Sequence, residues 1–213
     1  TDVLTDHALS YIECVGEKPF MMYLSYNAIH TPLEAPEEYL NKFEGHKNQY
    51  IKAMTSALDK NIGKLVTGLK QMNKFDNTLI FFLADNGGAI NNLDSNLPYK
   101  GFKGNKFEGG HRVPFCVVWG DKLVKDCKFN GLVSSFDIMA TAVQAAGIPS
   151  QKLKNPIDGV DLLPYLRGEK VGNPHEYLFW RKMNCSAVRT PDYKLISVDG
   201  YGKVLYNITK DPT

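Results

Sequence analysis

The sequence predicts an α/β protein: a mixed, largely parallel sheet flanked by helices over residues 1–172, then a small antiparallel β subdomain over residues 173–213. Three patterns predict it. Short apolar runs bounded by breakers alternate with segments of helical periodicity. A long polar stretch rich in Gly and Asn separates two of the apolar runs. From about Glu176 the texture changes to short β-rich runs punctuated by turn residues.

Element by element, Thr5 is suited to cap a first amphipathic helix with Ala8, Leu9 and Ile12 on one face and Gly16 just past its end. Lys18-Pro19 introduces Phe20–Ser25, a run that reads as a strand covered on both faces. His30 follows in the loop behind it. After a Pro-containing stretch, Tyr50, Ile51, Met54, Leu58, Ile62, Leu65, Val66 and Leu69 recur at helical spacing, the strongest helix signal in the chain. Thr78–Ala84 is a second buried strand that runs directly into Asp85-Asn86-Gly87-Gly88. The segment 87–110 has neither period and reads as a long functional loop. Pro114–Trp119 is a third strand, and Ser135 is placed to cap a helix through Met139 and Val143 that Gly147 and Pro149 stop. The runs Tyr177–Trp180, Ala187–Arg189, Tyr193–Val198 and Val204–Ile208, with Asp199-Gly200 as a turn, predict an antiparallel meander. Both ends read as cut from a longer protein.

Composition narrows the function. The chain of 213 residues carries 25 Lys plus Arg against 23 Asp plus Glu, a formal charge of +2, so no global field points to nucleic acid or an anionic membrane. Its apolar runs fall far short of the roughly 18 residues of a membrane span. Cys14, Cys116, Cys127 and Cys185 form no CxxC pair and define no disulfide framework. Two sequons, at Asn184 and Asn207, would permit glycosylation in a secretory pathway.

Asp85 and Asn86 stand at the carboxyl end of a predicted strand, where open α/β sheets place their ligands. A carboxylate beside an amide oxygen suits a hard divalent cation such as calcium or magnesium, although Asp-Asn-Gly is also ordinary turn chemistry. His30 follows the first strand and could hold an anion or shuttle a proton; a loop histidine bonded to backbone is the plain alternative. Lys103, among Gly101, Gly104, Gly109 and Gly110, could present a point charge to a sulfate or phosphate, or could simply be solvated. His7, His46, His111 and His175 show no ligand spacing and read as structural.

Taken in order, Asn27-Ala28-Ile29-His30-Thr31-Pro32, Asp85-Asn86-Gly87-Gly88, Lys100-Gly101-Phe102-Lys103-Gly104 and Glu108-Gly109-Gly110-His111-Arg112-Val113-Pro114 resemble the type I sulfatase family of the alkaline phosphatase superfamily. Leu4–Glu13, Ala53–Gly63, Val133–Ile148 and Leu153–Gly168 are similar to family segments in the same order, so nearly the whole chain is covered. The resemblance implies an alkaline phosphatase-like fold and calcium-dependent hydrolysis of a sulfate ester by a formylglycine hydrate. Asp85 and Asn86 match two calcium ligands, and Asp85 also matches a candidate acceptor of the proton from the attacking hydrate. His30 and Lys103 match residues that hold sulfate oxygens and help the leaving oxygen depart. Glu108, Gly109, Gly110 and Arg112 read as scaffold for the loop.

In the family, the modified cysteine and an acidic pair that completes the metal site precede the part matched here, so both are expected upstream of Thr1. Cys185-Ser186-Ala187-Val188-Arg189 fits a loose modification pattern, but it lies in the predicted meander and is expected to stay unmodified. The isolated chain is expected to bind calcium weakly and to be inactive. An uncovered sheet face is expected to favour association. Two alternatives stand beside the sulfatase reading. One is a phosphatase or phosphonate monoester hydrolase of the same superfamily, disfavoured because two-zinc relatives carry histidine where Asn86 stands. The other is a noncatalytic module gripping a sulfated glycan through Lys100, Lys103, Lys106 and Arg112. Selectivity is expected from residues 31–47 and 87–99, and the family analogy implies work outside the cytoplasm, in the periplasm, a lysosome or the extracellular space.

Overall fold

The computed structural model describes residues 1–92 and 95–211; Leu93 and Asp94 of the predicted loop, and Pro212 and Thr213, lie outside the described residues. The chain forms two compact units, Thr1–Thr78 and Leu79–Thr213.

In the first unit, helix α1 (Asp2–Val15) ends at Gly16, whose φ of 61° is a backbone conformation that favours glycine. Thr5 does not cap it. It is buried inside the helix, its hydroxyl on Thr1 O and hydrogen-bonded to the Tyr26 hydroxyl at 2.9 Å. Helix α2 (Glu37–Leu40) leads through a single 3₁₀ turn to the 23-residue helix α3 (Gln49–Gln71). The predicted periodicity is present and buries Met54 and Leu69, but smaller residues share the buried face. Ala53, Ala57 and Asn61 are buried, whereas Tyr50 is largely exposed. Alanines allow close approach, and Tyr39 packs on Ala53 and Ala57 with Ala35, Leu40 and Phe43 around them. Asn61 donates to Asp2 Oδ1 at 3.1 Å and to Ala57 O at 2.8 Å, joining α3 to the start of α1. That bond, ahead of an opposing effect of burial, lowers the Asp2 carboxyl below its ordinary range.

Phe20–Ser25 forms no strand and pairs with none among the described residues. Its side chains alternate between half-buried and exposed, with Met21 and Tyr23 on the open side, so the expected two-sided burial is not what the described residues provide.

In the second unit, strand β1 (Ile80–Leu83) leads through the loop to helix α4 (Glu108–His111) and strand β2 (Phe115–Val118). The α/β class stands, but the sense of pairing differs from the largely parallel expectation: β1 and β2 are antiparallel, Ile80 opposite Val118 and Leu83 opposite Phe115. A parallel neighbour needs a crossover that returns the chain to the strand's starting end. Residues 84–114 instead double back at the carboxyl end of β1.

Helix α5 (Asp137–Ala145) has Phe136, not Ser135, at its cap position, and the Asp137 carboxylate holds the preceding turn: Ser134 N donates to Asp137 Oδ2 at 2.7 Å. The other carboxylate oxygen accepts Val160 N at 2.8 Å, and His175 Nε2 sits 2.8 and 2.9 Å from the two oxygens. Gly159, at φ 92°, is pressed so close to Phe136 that a Cβ would lie 2.6 Å from its carbonyl oxygen. The Asp158-Gly159-Val160-Asp161 segment is thereby tied to α5 and leads into helix α6 (Leu163–Leu166). The meander is as predicted: β3 (Leu178–Lys182), β4 (Cys185–Arg189), β5 (Tyr193–Val198) and β6 (Gly202–Asn207) follow one another in one antiparallel sheet. One of its faces packs Leu178, Ala187 and Ile196 inward. On the other, Phe179, Val188, Leu195 and Leu205 stand in one rung across the four strands.

Candidate functional site

Pairing between β1 and β2 continues one step past the strands, Ala84 N donating to Pro114 O at 3.2 Å. Asp85-Asn86-Gly87-Gly88 therefore emerges beside the segment that carries Glu108-Gly109-Gly110-His111-Arg112. Gly87 N bonds Gly110 O at 3.3 Å. A Cβ on Gly87 would meet Gly109 O at 1.7 Å, and one on Gly109 would meet Gly101 O at 2.5 Å, so glycines are needed here for backbone approach. The third motif is stitched to the same place. Lys103 N donates to Gly88 O at 3.0 Å and Gly109 N to Lys100 O at 2.9 Å.

Asn96, which carries no motif signal, closes the arrangement. Its Oδ1 accepts Gly88 N at 2.8 Å, and its Nδ2 donates to Gly88 O and Gly101 O, both at 3.1 Å. Three segments distant in sequence thus share one backbone network, with Asp85 exposed and Asn86 and Lys103 half-buried on it. Asn86 commits its Nδ2 to Gly87 O at 3.0 Å, which leaves Oδ1 as an acceptor on the residue that follows Asp85. Two hard oxygens fit a calcium or magnesium ion. Among the described residues, no three His, Cys, Asp or Glu side chains gather into a metal-holding group.

His30 belongs to the first unit. It is exposed, its Nδ1 lies 2.8 Å from Thr31 O, and the Ala28–Ile29 and Thr31–Pro32 peptide bonds on either side are cis. Of the four basic residues proposed to grip a glycan, Lys106 is buried, while Lys100 and Arg112 lie over the rings of Phe107 and Tyr99 at 5.0 and 4.7 Å. Those three are engaged within the unit, which weighs against an open cationic patch.

Behind the loop lies a charged cluster that sequence reading missed. Glu108 is buried and faces Lys194 Nζ at 2.9 Å and Arg189 Nε at 3.3 Å. Burial works to raise the Glu108 carboxyl, but Lys194 and Arg189 outweigh it and hold the carboxyl below its usual range. Lys194 is itself lowered, chiefly by burial, with Glu108 opposing. His111 stacks on Trp180 with ring centroids 4.5 Å apart, and its Nδ1 lies 3.3 Å from Lys194 Nζ. The alternation of β5, which puts Lys194 on the same face as Ile196, was the available signal.

Burial first, then the neighbouring Lys194 and Lys106, push His111 from 6.5 down to about 4. A histidine lowered in the folded state stays neutral where the unfolded chain takes up a proton. Its contribution is therefore intact above pH 6.5 and is lost as pH falls toward 4. The shift corresponds to about 3 kcal/mol, discounted to about 2 kcal/mol for the ring's partial exposure. The unfolding midpoint of the intact protein is expected to fall across that window, and His111→Phe, which keeps a stacking ring, should flatten the fall. A midpoint with the same pH dependence in both proteins would show that His111 does not titrate this way.

Comparison with known proteins shows the family and the fold. The family described as Sulfatase matches residues 1–148. The uncharacterised sulfatase YdeN of Escherichia coli (strain K12) is 36% identical over 190 residues, covering 84% of this chain and 33% of that protein. Human steryl-sulfatase is 28% identical over 254 residues, covering all of this chain and 43% of that protein. The crystal structure of Ps i-CgsB in complex with k-i-k-neocarrahexaose superimposes with a TM-score of 0.89 at 33% identity, covering 99% of this chain and 48% of that one. The chain spans from a third to about half the length of these three relatives. Among the described residues, no helix is long and apolar enough to cross a membrane.

Proposed function

The chain belongs to the sulfatase family, and on that premise we propose that the intact protein removes sulfate from a sulfated glycan in a calcium-dependent reaction outside the cytoplasm. The observation that carries this reading is the bond from Lys103 N to Gly88 O, with Asn96 bridging Gly88 and Gly101, which joins the oxygen pair Asp85 and Asn86 to the Lys103 loop. Asp85 and Asn86 are the proposed calcium ligands. When bound, calcium would supply positive charge that neutralises the ester's oxygens. Two oxygens fall short of the roughly six to eight that calcium takes, so this chain by itself should bind the ion weakly and turn over little substrate.

The Lys103 ammonium acts as a fixed cation on a sulfate oxygen and on the charge that develops at the leaving oxygen. His30, in the first unit, is the proposed proton donor on the resemblance of its motif alone. The nucleophile would be a formylglycine, for which Cys185 in β4 is not the proposed source. A glycan is favoured as substrate because the similar structure of Ps i-CgsB was solved with k-i-k-neocarrahexaose.

Assaying the intact protein for sulfate release from sulfated oligosaccharides tests the reading. Release that stops with a calcium chelator and returns with added calcium is expected. Phosphate release from 4-nitrophenyl phosphate without any sulfate release would move the assignment to a phosphatase. Glycan binding without hydrolysis would make the protein a noncatalytic module.

A further inference from the structure

We propose that Lys194, through its ion pair with Glu108, is a positioning residue that holds the Lys103 loop and the Asp85–Gly88 turn in working register. The inference rests on the sulfatase reading of those residues. Lys194 is 1% exposed and lies on the inner face of the meander, far in sequence from both motifs. Its ammonium is surrounded by specific partners: Glu108 Oε1 at 2.9 Å, His111 Nδ1 at 3.3 Å and the Trp180 ring at 5.1 Å. Arg189 supports the same carboxylate from β4, and Arg112 approaches it at 3.9 Å.

Glu108 opens α4, so fixing its carboxylate fixes the backbone that follows. Gly109 N holds Lys100 O, and Gly110 O receives Gly87 N. Two short routes therefore run from the ammonium to the site. One passes through Gly109 and Lys100 to the loop of Lys103, and the other through Gly110 and Gly87 to the turn of Asp85 and Asn86. A buried ion pair is a costly way to gain stability alone, because desolvation offsets much of the attraction. Its directional demand, however, sets where α4 sits, and a displacement of about 1 Å at a catalytic group is enough to cost about a hundredfold in rate.

Lys194→Met and Lys194→Arg in the intact protein test this, assayed with 4-nitrophenyl sulfate and by thermal melting. The Met variant should remain folded with kcat lowered about 10- to 100-fold and KM within about threefold, and the Arg variant should recover much of the rate. A folded Met variant with kcat within about twofold of the parent overturns the proposal, as does a loss that merely follows the unfolded fraction. Should the Met variant fail to fold, Glu108→Asp keeps every charge and shortens the reach; a folded Asp variant with parental kcat overturns the proposal, and one with lowered kcat supports it. If the parent protein releases no sulfate, the sulfatase reading fails separately. Hydrogen exchange then decides on the positioning role: faster exchange at the Gly87, Lys103 and Gly109 amides in the Met variant supports it, and unchanged exchange overturns it.

Discussion

Lys103→Ala in the intact protein is expected to lower kcat for sulfate ester cleavage by about 10² to 10³, the usual consequence of removing one fixed group from a developing anion. The backbone bonds of the loop are expected to persist in this variant. The loop is held by backbone and by Asn96, through Lys103 N on Gly88 O, Asn105 N on Phe102 O at 3.1 Å and Asn96 Nδ2 on Gly101 O. Lys103→Arg restores charge without the compact ammonium and should recover only part of the rate. If the alanine variant keeps more than about a tenth of the parental kcat, Lys103 does not stabilise the departing group.

Gly87→Ala should be the most damaging single methyl in the second unit. The added Cβ would lie 1.7 Å from Gly109 O, 2.8 Å from Gly109 C and 3.2 Å from Gly110 Cα. All three are backbone atoms, so no side chain can rotate aside, and relief requires separating the Asp85–Gly88 turn from α4. That breaks the Gly87 N to Gly110 O bond and moves both halves of the site. A loss of about 4 kcal/mol or more is expected, in the exceptional range for one substitution, together with loss of activity in whatever fraction still folds. Gly63→Ala is the control. It lies within α3, nothing stands within 4 Å of its added Cβ, and the change should stabilise the helix by about 0.5 to 1 kcal/mol. Chemical denaturation of the two variants beside the parent makes the comparison, and a Gly87→Ala protein of parental stability would mean that the tight contact with Gly109 is absent.

Local signals in the sequence carried a good part of the site. The turn directly after β1, the glycines that permit close approach, the Gly16 terminus of α1 and the four strands of the meander all follow from short-range rules, because turn chemistry and side-chain alternation act over a few residues. The motif order was enough to assemble Asp85, Asn86 and Lys103 as candidates. Asn96 escaped notice because an asparagine in a polar loop looks the same whether it is solvated or bridges two carbonyls. Lys194 escaped for a related reason: alternation places a residue on one face of a strand but does not say which face finds an anion waiting.

The sequence by itself determined the α/β class and the membership in the sulfatase family, and it named the oxygen pair and the lysine as candidates, since each is written in local pattern or motif order. Only the tertiary structure decided that β1 and β2 run antiparallel, that α5 has Phe136 rather than Ser135 at its cap position, and that a buried Glu108–Lys194 pair stands behind the site. Those outcomes depend on where a distant segment returns, and the free energy of such a return comes from partners dozens of residues away that no local window contains.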